Sequence, residues 1–248
     1  MEDEYPPFPA EIPRKSWIDR IQAFVEVLLV SGLVSGFLAA LPLSFLHVRN
    51  MDLLLKDVRI LSLYLLLESL ITFLILAFLL KLHRETPETL GLRWEYWKRN
   101  AAIGLALVPA LFLINGIVAF IFKVYLPKYY IEQNPLVQNI HTTQQLGFFV
   151  FSALVAGGIK EEVQRAFILN RFRTYLGGAA AGLVLWSLAF GAGHYVQGAQ
   201  GIVIASLYGF IFGVIYIASG SLIAPIVAHG AYDTLAILAY WFFSGRVK

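Results

Sequence analysis

Seven apolar runs follow one another along the chain, near 22–46, 59–82, 101–126, 146–174, 179–198, 201–219 and 221–243, with shorter polar connections between them. A helix rising 1.5 Å per residue needs about 20 apolar residues to cross the hydrocarbon core of a bilayer. The pattern therefore predicts an all-α fold, a polytopic membrane helix bundle of about seven transmembrane helices. A short or re-entrant element near 47–58 would make eight. The last three runs are joined by very short turns containing Gly or Ser, which makes antiparallel neighbours of them. Pro42, Pro109 and Pro225 lie inside spans, where kinks are tolerated.

The polar connections are longest near 83–100 and 127–145. The first runs into Trp94, Tyr96 and Trp97, residues that favour the lipid–water boundary. An amphipathic piece lying in the interface is expected there. Residues 1–19 read as a polar tail, with Pro6, Pro7, Pro9 and Pro13 and an acidic start unlike a signal peptide. Residues 20–248 read as a single transmembrane domain whose catalytic-like core spans 146–243. With the N-terminus inside, ten Lys and Arg fall in inner segments and seven in outer ones. That bias favours a cytoplasmic N-terminus in what reads as a prokaryotic plasma membrane.

Composition agrees with the pattern. Hydrophobic residues make up 58% of the chain, charged residues only 14%, and the mean hydropathy is +0.70; a soluble domain carries about a quarter charged residues. The absence of cysteine rules out disulfides, thiolate nucleophiles and Cys-ligated metals. A formal net charge of +3 gives no reason to expect nucleic-acid binding.

The fourth run breaks the apolar pattern with Lys160-Glu161-Glu162-Val-Gln-Arg165. An ionisable side chain at mid-membrane costs at least ~2.5–3.5 kcal/mol, so these charges need partners, water or a chemical purpose. Glu161 and Arg165 are spaced i, i+4 and Glu162 and Arg165 i, i+3; either pair meets along a helix face, and a structural salt bridge would explain them. His194 and His229 also lie within apolar runs, and Asp233 follows His229 by one turn. His47, His83 and His141, in or near connections, read as surface residues. Depth brings the unusual residues together. Glu161 and His194 are each ~24 Å along their helices from the Gly177-Gly178 turn, and so face each other in a helical hairpin. His229 lies only ~13 Å beyond Gly220 and fits less well; Asp233 fits better.

These residues resemble the CAAX protease and bacteriocin-processing (CPBP) family, the type II CAAX prenyl endopeptidase-like intramembrane glutamate proteases. The resemblance rests on three motifs in order: Glu161-Glu162-Val-Gln-Arg165, Phe190-Gly-Ala-Gly-His194 and His229-Gly-Ala-Tyr-Asp233. The flank Gly220-Ser-Leu-Ile-Ala-Pro225 and the stretch Glu88-Thr-Leu-Gly-Leu92 are family-like too. Two departures stand out. Two residues, not three, separate the acid pair from Arg165, which leaves Lys160 where the first family glutamate belongs if the arginines are aligned. A local bulge in the helix reconciles the spacings. Asp233 stands where the family usually has asparagine.

The resemblance implies metal-independent endopeptidase activity without a cofactor, on a peptide or lipidated protein substrate held in the membrane lipid. Either Glu161 or Glu162 would be the general base, Glu161 being favoured by depth. His194 would position the water, His229 and Asp233 would line the oxyanion region, and Arg165 and Phe190 would orient and support. Two alternatives stay open: a zinc-dependent membrane protease using Glu161, His194 and His229, and a non-enzymatic immunity or scaffold protein of the same family. Buried Glu, Arg and His also suit a transporter, but no inverted repeat is visible.

Overall fold

The computed structural model describes residues 16–45 and 51–243, and every regular element among them is helical. Most of the proposed N-terminal tail lies outside the described residues. Its last part is already helix: α1, Trp17–Val30, is capped by Ser16, whose hydroxyl accepts the Asp19 amide while Asp19 accepts the Ser16 amide.

The first apolar run is broken rather than continuous. α1 stops at Ser31-Gly32, where Gly32 has φ +94°, and α2 resumes at Leu33–Phe45. Near 47–58 the chain forms α3, Met51–Lys56, which at six residues is far too short to cross a membrane. α4, Val58–His83, starts under an Asp57 cap. A 3-10 turn at Pro87–Leu90 then leads to α5, Trp97–Tyr125. α6, Thr143–Ala153, passes through a π-helical stretch, Leu154–Glu161, into α7, Glu162–Tyr175. α8, Ala179–Gly193, α9, Gly198–Ser219, and α10, Ile223–Phe243, complete the chain.

Among the described residues, five segments are long and apolar enough to cross a membrane: Trp17–Phe45, Val58–His83, Trp97–Tyr125, Tyr195–Ser219 and Ile223–Phe243. The expected fourth and fifth spans do not join them. The helix through 143–175 carries the charges, and α8 has only 15 residues. Large apolar side chains such as Leu74, Phe78, Leu113, Phe120 and Leu188 point outward. Water would not tolerate so broad an apolar surface, whereas hydrocarbon does.

α8 and α9 form the expected antiparallel hairpin, and α10 packs among α5, α9 and the π-helical stretch. The connection at 83–100 is more than an interfacial strap. Trp94, Tyr96 and Trp97 are indeed exposed, but Leu90 is fully buried. Gly91, at φ +84°, lies so close to the α9–α10 turn that a Cβ there would meet the Gly220 carbonyl oxygen at 2.9 Å. The Leu222 amide donates to the Gly91 carbonyl, 2.9 Å away. Residues 87–92 thus roof the turn, and Leu222 and Ala224 beneath are completely buried.

A polar cluster ties α1, α4 and α7 together at the far end from the cavity described below. Arg171 donates from Nε to Glu26 at 2.6 Å and forks onto both Glu85 oxygens at 2.8 and 2.9 Å. His83 Nε2 meets Glu26 at 2.6 Å. Two readings are corrected here. His83 is a partner in a largely buried network, not a surface residue. Arg171 is buried and ion-paired, so it is no inner-loop charge, and the orientation bias weakens without it.

Candidate active site

Three successive residues where the π-helical stretch meets α7 face in three different directions. Lys160 Nζ reaches α4, 2.9 Å from a Glu68 oxygen. Glu162 is sealed in, ion-paired with Arg165 on the next turn and hydrogen-bonded at 2.7 Å to His229 Nδ1 from α10. Glu161, between them, faces a cavity. The π-helical stretch that runs through Lys160 and Glu161 widens the turn that carries them. It ends at Glu161; from Glu162 to Arg165 the helix is regular, so the shortened spacing itself contains no bulge.

The cavity has a volume of about 640 Å³, and Glu161, His194, His229 and Asp233 are among the residues that line it. Apolar walls extend from there to Leu54, Leu61 and Leu65 on one side, and the 130–137 loop borders it on another. That loop is pinned to α9 by Gln200, which accepts the Ile131 amide, and by Gln197, which accepts from Asn134. Of the five residues expected to share a site, Glu161, His194, His229 and Asp233 line this one space. Glu162 does not line it.

The depth mismatch at His229 is resolved by the roofed turn. Because residues 87–92 cover Gly220–Leu222, α10 starts from inside the protein and not from its surface. His229 reaches the acids after only nine residues; its Nε2 lies 3.9 Å from Glu161 and 3.5 Å from Asp233.

Hydrogen bonds assign the imidazole protons. His194 ends α8, and its Nδ1 is 2.8 Å from the Phe190 carbonyl oxygen. A carbonyl only accepts, so Nδ1 carries the hydrogen, and the neutral ring offers a lone pair at Nε2. His229 Nδ1 likewise donates to the Glu162 carboxylate, which fixes the ring with Nε2 towards Glu161 and Asp233. The His229 ring stacks on Phe212, with centroids 4.8 Å apart.

Phe190 and Arg165 support this frame. The Arg165 guanidinium is buried between Phe190 and Phe212, 4.9 and 5.6 Å from their ring centroids. Phe190 also packs against His194, centroid to centroid 4.6 Å. One phenyl ring thus touches both the cation that neutralises Glu162 and the histidine at the cavity. The glycines around His194 divide in role. Gly191 lies hard against α9 at Ile202 and Ser206, whereas a Cβ on Gly193 would meet nothing and its side borders the cavity.

Sequence reasoning missed Gly157. A Cβ there would lie 2.5 Å from Asp233 Oδ2 and 3.5 Å from His229 Nε2. Gly157→Ala is expected to displace Asp233 and cut any turnover about 100-fold, as ångström-scale misplacement does, with a melting temperature close to wild type. Parallel kinetics and thermal unfolding in detergent check this. Also missed were Glu26 and Glu68. The available signal was a carboxylate inside an apolar run, single in each case where Glu161 has charged neighbours.

Among the described residues no group of three His, Asp or Glu side chains has an arrangement that could hold a metal ion. Residues 142–235 match the family model for the type II CAAX prenyl endopeptidase Rce1-like proteins. The match contains all three motifs and agrees with the CPBP family to which they point. No curated protein and no solved structure shows a significant match to the chain.

Proposed function

With an Rce1-like core embedded in an integral membrane helix bundle as the premise, we propose that the protein is a metal-independent intramembrane endopeptidase. It hydrolyses a peptide bond near the C-terminus of a prenylated or otherwise membrane-associated substrate. The observation that carries the reading is the meeting of Glu161, His194, His229 and Asp233 around one cavity.

Glu161 is the general base. It takes a proton from a water as the water oxygen attacks the scissile carbonyl carbon. His194, accepting at Nε2, orients that water. The carbonyl oxygen becomes an oxyanion, and His229, protonated at Nε2 and held by Glu162, donates to it. Asp233, beside the same nitrogen, shares that proton. Collapse of the tetrahedral intermediate returns the proton from Glu161 to the leaving amine. Arg165 keeps Glu162 ionised, and hence able to accept from His229. The apolar walls leading to Leu54, Leu61 and Leu65 suit a hydrocarbon-bearing substrate, and the N-terminal side is taken as cytoplasmic.

Purified protein in detergent, given a panel of prenylated and unprenylated peptides with and without chelator, tests the reading. Cleavage that survives chelation is the expected result. Cleavage lost on chelation and restored by zinc would replace the glutamate mechanism with a metal one. A folded protein inactive on the whole panel would point to a non-enzymatic family member.

A further inference from the structure

Lys160 has no part in the mechanism above, yet it is the charge nearest Glu161. Its side chain is only 8% exposed. Nζ sits between two carboxylates from different helices, 2.9 Å from Glu68 Oε2 on α4 and 3.7 Å from Glu161 Oε1. Glu68 is itself fixed: its other oxygen accepts from Ser35 at 2.7 Å and from Thr72 at 3.1 Å. The ammonium is therefore anchored from the side away from the cavity and presented to Glu161.

We propose that Lys160 is a positioning residue of this site: tethered by Glu68, it keeps Glu161 ionised and its carboxylate turned to the cavity. The inference rests on Glu161 being the base. Ionisation of Glu161 needs a nearby cation, because burial alone favours the protonated form, which cannot accept a proton from water. The other groups facing Glu161 do not supply a committed one. His229 and Asp233 come from α10, and their charges largely offset each other. His194 at the end of α8 is neutral in the form that orients water. Arg165, one turn on, is taken by Glu162. On the far side, Tyr64 and Glu68 of α4 face Lys160.

The test removes the pair as a unit. Glu68→Gln/Lys160→Met removes the ammonium without orphaning Glu68, so that Glu161 alone loses a counter-charge, and Lys160→Arg keeps the charge. Infrared difference spectra at neutral pH, between each protein and its Glu161→Gln counterpart, report the protonation of Glu161 itself. Carboxylate bands are expected in wild type and Lys160→Arg. In the double variant the protonated form should rise at least about tenfold, the effect of losing one close opposite charge, and peptide cleavage should fall in step. Should the methionine variant not fold, Glu68→Gln/Lys160→Gln, which keeps a hydrogen bond in place of the charges, carries the same comparison. A folded pair variant with Glu161 still fully ionised overturns the proposal. If the spectra shift as expected while wild type cleaves nothing, the role of Lys160 stands and the assignment of Glu161 as base falls.

Discussion

Glu161→Gln is expected to abolish peptide cleavage while leaving the fold intact. Glutamine keeps the size and polarity of the side chain but cannot take a proton. Loss of a general base typically costs about 10²–10⁴-fold in rate. Glu161 is the more accessible of the two acids, its side chain 18% exposed against 1% for Glu162, and no hydrogen bond to it would be lost. The companion change, Glu162→Gln, has a different signature. It takes the counter-ion from Arg165 and the anionic acceptor from His229, so activity and melting temperature should fall together. Steady-state rates and thermal unfolding of both variants separate the roles. If Glu162→Gln loses only rate and Glu161→Gln keeps it, the two acids have been assigned the wrong way round.

Arg165→Met should be the most destabilising single change in the core of the site. Methionine fills much of the space between Phe190 and Phe212 but leaves Glu162 as a buried carboxylate without its cation. Breaking a buried pair from one side costs about 3–5 kcal/mol, and stacking on the two rings adds to the loss. The cost is large because both partners are almost wholly buried. The expected outcome is a protein that unfolds at much lower temperature or is recovered aggregated from the membrane. The double variant Glu162→Gln/Arg165→Met should regain part of the stability without regaining activity, since His229 would still lack its carboxylate. Thermal melts of the three proteins in one detergent check the order.

The helical bundle and the membership of the site were legible in the sequence, because both depend on local pattern. Apolar runs mark helices, and charges inside such runs mark groups that need partners. The motifs grouped Glu161, Glu162, His194, His229 and Asp233, and all of these but Glu162 line one cavity. What could not be read was long-range. The division of labour between Glu161 and Glu162 depends on a π-helical stretch whose widened turn is stabilised by packing of Gly157 and Gly158 against α10. The depth of His229 depends on residues 87–92 roofing a turn some 130 positions further along the chain. Arg171 looked like a loop charge because its partners, Glu26 and Glu85, belong to the first half of the sequence. The break between α1 and α2 was hidden for the same reason: the Val30 carbonyl near it is satisfied by the side chain of Gln164, from the acid-pair motif.

That Lys160 and Arg171 find their partners far away in the sequence has a consequence for portability. Both cations lie in the stretch that is recognisably Rce1-like, and both are buried. Their outside carboxylates, Glu68 for one and Glu26 and Glu85 for the other, come from helices and connections before it. The turn opening α10 takes its roof from Gly91, also before it. A chimera that transplanted residues 142–235 onto foreign helices would carry every motif residue, yet leave two ammonium or guanidinium groups in hydrocarbon with their main counter-charges left behind. The recognisable part of this protein is smaller than the part that must be inherited together for it to fold.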